Sequence, residues 1–268
     1  MEHSSQNGFR RPRLFAGVFH KHVYETETLG GHTVIRTIRL GGRRQRQLIV
    51  RGTQQSALWI DDPFGEIPFP YLQRFDLSFE VRPAPQHLLL LGGAGYAWPR
   101  HVLTNRPDIT LDVVEIDAAM NDIARQWFFL DELERRHGAT GDGRLRLFVE
   151  DGASFLAERA KTTGPYDAIY NDTFIASEPA RTLMDAQAAA LVHARLTPQG
   201  LYLTNVISAL MGPDAFPLES VVSALTTQFT HVSVIPCEVG HPKTARNTII
   251  IATDRAHDFP GTWMTYTG

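Results

Sequence analysis

Four polar features in this chain each follow a short apolar run: Gly92-Gly93-Ala94-Gly95, Glu115, Asp151-Gly152 and Asp172. Glycines at the end of Leu88-Leu89-Leu90-Leu91 let a backbone turn sharply and approach a ligand closely. Glu115 has the position from which a carboxylate accepts hydrogen bonds from both hydroxyls of a ribose. Its other reading is a helix cap, although Asp117 is available for that role. The Asp151 side chain can accept from an adenine amino group, or it can cap a helix over 153–160. Asp172, in Asn171-Asp172-Thr173-Phe174, has no helix immediately after it to cap. A carboxylate among Tyr170, Phe174, Tyr96 and Trp98 suits an ammonium-bearing substrate, since aromatic faces attract cations and the carboxylate can take the proton; the alternative is a solvated loop aspartate.

These residues need a scaffold that brings strand ends together. From Gln86 onward, apolar runs and helix-periodic segments alternate, which predicts a doubly wound, Rossmann-like parallel sheet. Its strands are expected at 88–91, 111–115, 145–149, 166–170, 201–206, 231–235 and 248–252. Met120, Ile123, Ala124 and Trp127 form one helical stripe, and Leu218, Val221, Val222 and Leu225 another. Before residue 80 the pattern is antiparallel: alternation over 34–40, a Gly41-Gly42 turn, a return at 47–50 and a further strand at 57–60. A helix is expected near 71–79, and Arg82-Pro83-Ala84-Pro85 reads as a junction. The organisation expected is therefore residues 1–80 with a small antiparallel β domain, 86–255 as the nucleoside-binding catalytic domain, and 256–268 as a tail.

With 268 residues, 43% of them hydrophobic, the chain can bury a large core. A net charge of −3 argues against nucleic acid as a partner. The basic runs Arg10-Arg11-Pro12-Arg13 and Arg43-Arg44-Gln45-Arg46 read as loop or hairpin charge. The single cysteine, Cys237, excludes an intrachain disulfide and reads as a small buried hydrophobe. Eleven scattered histidines give no metal-ligand spacing, so no metal is expected. Neither a signal-type leader nor a membrane-length apolar run is present, and a cytoplasmic, non-membrane protein is expected.

With these residues placed, the chain resembles the spermidine synthase family of polyamine aminopropyltransferases, from about Val34 to Ala252. The resemblance rests on Gln54-Gln55-Ser56, Asp61-Asp62-Pro63 and Phe69-Pro70-Tyr71, followed in order by Leu91-Gly92-Gly93-Ala94-Gly95, Val114-Glu115-Ile116-Asp117, Asp151-Gly152-Ala153-Ser154-Phe155-Leu156 and Tyr166-Asp167-Ala168-Ile169-Tyr170-Asn171-Asp172. It implies a methyltransferase-type sheet and a likeness in activity: transfer of an aminopropyl group from decarboxylated S-adenosylmethionine to a small-molecule amine, within polyamine biosynthesis. By position, Gln55 and Glu115 would hold the nucleoside's ribose and tail against Gly92, Gly93 and Gly95. Asp151 and Gly152 would meet the adenine. Tyr71 would face the amine, with Asp172 as the deprotonating carboxylate; the aromatic reading above adds Tyr96 to the substrate side, and Glu178 is expected to stand in for a missing carboxylate. A homodimer is also implied.

The chain departs from the family pattern at three points. Gly95 stands where the family carries an aspartate for the aminopropyl ammonium. Thr173-Phe174-Ile175 replaces the segment that holds its second carboxylate, and Leu72 replaces the usual histidine after Tyr71. These departures keep open methyl transfer from intact S-adenosylmethionine, and also a nucleoside-binding homologue without catalysis. A nicotinamide oxidoreductase is disfavoured because Trp98 fills the third small position of a dinucleotide fingerprint, with Pro99 next to it.

Overall fold

A computed structural model describes residues 21–82, 84–175, 178–179 and 183–267. Strands β1 (Lys21–Thr28), β2 (Gly31–Leu40), β3 (Arg43–Val50) and β4 (Thr53–Trp59) form an antiparallel meander in sequence order. Next come α1 (Pro70–Gln73), a 3-10 turn (Arg74–Asp76) and α2 (Leu77–Val81), so the helix expected near 71–79 is a chain of short pieces. Strand β1 precedes the first expected strand; the apolar–polar alternation that marks β2 is weak in KHVYETET.

The second sheet follows the glycine-rich region. Its elements are β5 (His87–Leu91), α3 (Ala97–Asn105), β6 (Thr110–Glu115), α4 (Ala118–Trp127), α5 (Leu130–His137), β7 (Leu145–Val149), α6 (Gly152–Ser154) and, after a π turn at Phe155–Arg159, α7 (Ala160–Thr163). They continue with β8 (Tyr166–Asn171), the two-residue strands β9 (Phe174–Ile175) and β10 (Glu178–Pro179), α8 (Ala186–His193), β11 (Leu196–Ser208), α9 (Phe216–Leu225), β12 (His231–Pro236), β13 (Arg246–Thr253) and β14 (Met264–Thr267). The eight-stranded order is β14-β12-β13-β11-β8-β5-β6-β7.

The sheet is mixed, and this corrects the parallel expectation. β7, β6, β5, β8 and β11 run parallel, while β13 and β12 pair antiparallel beyond them. A direct return from β12 to β13 leaves no room for a crossover helix, which parallel pairing would need. β14 adds to that edge through Val232–Tyr266 and Ser233–Thr265, so the segment expected as a tail belongs to the sheet. Gly200 lies within β11 where its register with β8 shifts.

Two buried faces explain the unbroken apolar strands. Leu88 and Leu90 enter the core on one side of the sheet, and Leu89 and Leu91 enter the core on the other. The chain winds outward from β5 through β6 to β7, then returns to place β8 on β5's opposite side. That reversal puts a topological switch point at the carboxyl end of β5. Cys237 is 7% exposed, and burial pushes its thiol up to about 12, which suits an inert core residue.

The run Arg43–Arg46 is hairpin charge. Arg43 pairs with Glu66 at 2.5 Å and stacks on Trp59, Arg44 meets Asp61 at 2.6 Å, and Arg46 donates to the Trp127 carbonyl at 3.1 Å. Arg10–Arg13 lies outside the described residues. Among the described residues, no helix is long and apolar enough to cross a membrane.

Candidate active site

A cavity of about 420 Å³ opens at the switch point, walled by β4, α1 and the carboxyl ends of β5, β6, β8 and β11. Its floor begins with the glycine-rich turn. Gly92 has φ +92°, and a Cβ there would come within 2.6 Å of the Asp172 carbonyl oxygen, so only glycine lets β5 pass so close to the chain leaving β8. Ala94 and Tyr96 also take positive φ, 42° and 54°, an uncommon backbone for residues with a Cβ and one that clusters at functional sites.

Glu115 holds this turn in place. Its Oε2 accepts from Gly93 N and Ala94 N, both at 2.9 Å, and its Oε1 accepts from Asp117 N at 3.0 Å. Burial raises its pKa, and the three backbone donors oppose that rise. A carboxylate has about four acceptor directions, so one remains toward the cavity that Glu115 lines. Asp117 takes the capping role expected of it: Oδ1 accepts from Ala119 N at 3.0 Å, while Oδ2 accepts from Leu29 N at 2.7 Å and ties the β1–β2 hairpin to α4.

Asp151 takes the capping role, one of the two readings the sequence left open, and it also faces the cavity. Its Oδ1 caps α6 by accepting from Ser154 N at 2.9 Å, and the residue also lines the cavity beside Gly152. Gln54, Gln55 and Ser56 of β4 close the opposite wall. Ser56 packs over Gly95: a Cβ at residue 95 would lie 2.6 Å from the Ser56 Cβ and 3.3 Å from Phe128. The place of the family's aspartate is thus filled from β4. Arg100, 2% exposed, braces the turn from behind. It donates to the Gly95 carbonyl, to the Phe128 carbonyl at 2.8 Å and to the Pro63 carbonyl at 2.9 Å, and burial lowers its pKa.

The far end of the cavity is built around Asp172. Tyr71 OH donates to Oδ2 at 2.8 Å and Asn205 Nδ2 donates to Oδ1 at 3.0 Å, which joins α1, β8 and β11 at one carboxylate. Desolvation raises the Asp172 pKa, while the donors Asn205 and Tyr71 pull it down. The Tyr71 phenol is raised well above its usual value by burial and by the neighbouring carboxylate. Phe174 and Trp98 line the cavity with Asp172, as expected.

Two expected aromatic neighbours do not reach the cavity. Tyr96 is fully buried; its ring lies under Gly93 and its hydroxyl donates to Asn121 at 2.6 Å. Its left-handed backbone at the start of α3 turns the side chain into the core, so the structure corrects the expectation of Tyr96 at the amine. Tyr170, 0% exposed, bonds Ser78 at 2.7 Å and stacks on Trp98. Trp98 therefore serves as a core wedge where a dinucleotide fingerprint needs a small residue. Glu178 opens β10, paired with Ile175 of β9; its side chain lies outside what is described.

The site also contains residues the sequence reading passed over, chiefly Asn205, Ser56 and Asn247. Asn205 had a signal: a polar residue at the carboxyl end of an apolar strand, the same mark that singled out Glu115. Its Oδ1 is buried with no hydrogen-bond partner among the described residues. Ser56 stood within the quoted Gln54-Gln55-Ser56 motif without a role of its own, and Asn247 had no signal, because it reaches the cavity from an antiparallel strand distant in sequence.

The family model described as "Spermine/spermidine synthase domain" matches residues 75–234. Polyamine aminopropyltransferase 1 of Hyperthermus butylicus is 29% identical over 156 residues, which cover 58% of this chain and 51% of that protein. Putrescine N-methyltransferase 1 of Nicotiana tabacum is 30% identical over 142 residues, 52% of this chain and 36% of that one. The chain thus spans about half or less of the length of these curated relatives. Among solved structures, a probable spermidine synthase from Corynebacterium glutamicum superposes with a TM-score of 0.70 at 19% identity, covering 88% of this chain and 81% of that one, a likeness of fold. With a match over more than half its length, this chain belongs to the spermine/spermidine synthase domain family.

Proposed function

We propose that this protein alkylates an amine with a sulfonium nucleoside, the first reading being aminopropyl transfer from decarboxylated S-adenosylmethionine. The observation that carries the proposal is the placement of Asp172, held by Tyr71 and Asn205, in the same cavity as the glycine turn and Glu115. In this reading Glu115 offers its remaining acceptor direction to the ribose, Gln55 faces the nucleoside from β4, and Asp151 and Gly152 meet the base.

Asp172 takes a proton from the docking ammonium, whose pKa near 10 would otherwise leave the nitrogen without a lone pair. The nitrogen then attacks the carbon bonded to sulfur. A C–N bond forms, the C–S pair returns to sulfur as a neutral thioether, the product leaves as a secondary ammonium, and the proton taken by Asp172 passes to solvent. Burial that raises the Asp172 pKa makes it a stronger base, and holding amine and carbon in line supplies further rate. A homodimer is part of this reading, checked by mass in solution.

One observation favours a second donor. With Ser56 packed over Gly95, residue 95 supplies no carboxylate for the ammonium of a decarboxylated donor, whereas intact S-adenosylmethionine balances that charge with its own carboxylate. The transferred group would then be methyl. Separate calorimetric titrations with the two nucleosides test both readings. Tighter binding of the decarboxylated form by about 1.4 kcal/mol or more supports aminopropyl transfer, and the reverse supports methyl transfer. Absence of binding to either overturns the proposal.

A further inference from the structure

The base end of the cavity carries a carboxylate that the proposed reaction does not use. Glu150, Asp151 and Gly152 line the cavity just past β7, with Ile116 past β6 and Leu183 ahead of α8. Glu150 N donates to the Glu115 carbonyl at 3.2 Å, which sets the two strand ends side by side. Gly152 lets Leu183 come close: a Cβ there would lie 3.1 Å from Leu183 Cδ1. Ile116 and Leu183 thus offer apolar surface to a flat base, and the few polar groups among such walls fix a ligand's orientation. Glu150 Oε2 accepts from Arg159 Nε at 2.8 Å. The plain reading is a surface ion pair. Yet Glu150 is 25% exposed against 51% for Arg159, so the carboxylate is the more enclosed partner. Arg159 closes the π turn Phe155–Arg159, a geometry frequent at functional sites, and its guanidinium lies over Phe148 at 5.6 Å.

We propose that Glu150 is a base-specificity residue: with Asp151 it reads the exocyclic amino group of the nucleoside's purine, and Arg159 positions it. The inference rests on the sulfonium-nucleoside reading above and deepens its base recognition. An amino group presents two N–H donors, and a carboxylate offers about four acceptor directions. Asp151 therefore accepts one N–H while its Oδ1 caps α6, and Glu150 accepts the other while it holds Arg159. A 6-oxo purine turns an oxygen toward the same two carboxylates, so acceptor meets acceptor and the site rejects it.

The test titrates the full chain by calorimetry with 5′-methylthioadenosine and 5′-methylthioinosine, which differ in amino versus oxo at position 6 and carry no charged tail. The unaltered chain should favour the adenosine form by at least ~100-fold, because a site built to accept from an N–H rejects the analogue lacking it. Glu150→Ala and the longer Glu150→Met both remove the acceptor, and each should cut that ratio ~10-fold or more, whereas Glu150→Gln keeps an acceptor oxygen and should retain most of it. An unchanged ratio in the two acceptor-free variants, or no preference in the unaltered chain, overturns the inference while nucleoside binding stands. Equal loss of affinity for both nucleosides in those variants, matched by Arg159→Ala, also overturns it, since that is the mark of a structural ion pair. Binding of neither nucleoside to the unaltered chain overturns the sulfonium-nucleoside reading itself.

Discussion

The two ends of the cavity are built by different means. At the glycine turn, polar contacts run from one carboxylate to the backbone: Glu115 takes the amides of Gly93, Ala94 and Asp117. At the other end they run between side chains of separate elements, Tyr71 of α1, Asp172 after β8 and Asn205 of β11. At the turn one carboxylate holds three backbone amides, so the end that the proposed reading gives to the nucleoside is tied to the backbone of the fold. The end that the proposed reading gives to the amine depends on side chains that single substitutions can exchange.

Breaking the amine end should give the largest effect with the least structural damage. Asp172→Asn removes the proton acceptor and keeps the shape, and turnover should fall about 10²- to 10⁴-fold, as expected for loss of a general base. Nucleoside affinity by calorimetry should stay within about 2-fold; a parallel loss of binding would mean that the two ends are not separate. The opposite pattern is expected from Glu115→Gln. An amide accepts through one oxygen only, so either the Gly93 and Ala94 amides or the Asp117 amide faces an N–H group. A buried donor left unsatisfied costs about 1–3 kcal/mol. Thermal unfolding and nucleoside titration should both register that loss, whereas Asp172→Asn should leave the titration unchanged.

The same contrast explains what was legible in the sequence. The strands of the Rossmann-like core and the positions of Gly92, Glu115, Asp151 and Asp172 could be read because two-sided burial makes each strand an apolar run, and the polar residue that ends it stands out. The antiparallel edge was misread, since β12 and β13 are buried on both faces like the parallel strands and nothing in such a run encodes direction. Tyr96 was misplaced because its direction depends on a left-handed backbone at the end of the turn, set by tertiary contacts. Ser56 and Gly95 lie far apart in sequence, and their contact emerges only when β4 packs on α3.

That contact offers a way to move the boundary between the ends. Gly95→Asp alone should destabilise the fold by about 1–3 kcal/mol, since its Cβ meets Ser56 and overpacking has that cost. Adding Ser56→Gly removes the clash and should restore the melting temperature. The double variant then carries a carboxylate beside the glycine turn, and its preference should shift toward the decarboxylated nucleoside by about 10-fold relative to the unaltered chain. Recovered stability with unchanged preference would show that residue 95 does not face the donor's ammonium.

The smallest effect concerns pH, and its sign follows from the groups around Asp172. Desolvation holds its pKa above the usual aspartate value of 3.8. In the proposed reaction the active form is the carboxylate, so activity should be lost as pH falls through this raised pKa. Asn205 and Tyr71 pull the pKa down by donating to the charged form, hence Asn205→Ala and Tyr71→Phe should each move the acid limb of kcat to higher pH. Stability responds in the other direction. A carboxyl whose folded pKa lies above its unfolded value binds the proton more tightly when folded, so its contribution to stability is present at low pH and is lost as pH rises through the folded pKa. Asp172→Asn removes that loss, and its amide can donate to Asn205 Oδ1, which has no partner among the described residues. Its melting temperature should therefore exceed that of the unaltered chain by a few degrees at neutral pH, and the two should converge below about pH 4. Equal melting curves at every pH would show that Asp172 is solvated in the folded protein and would remove burial as the source of its basicity.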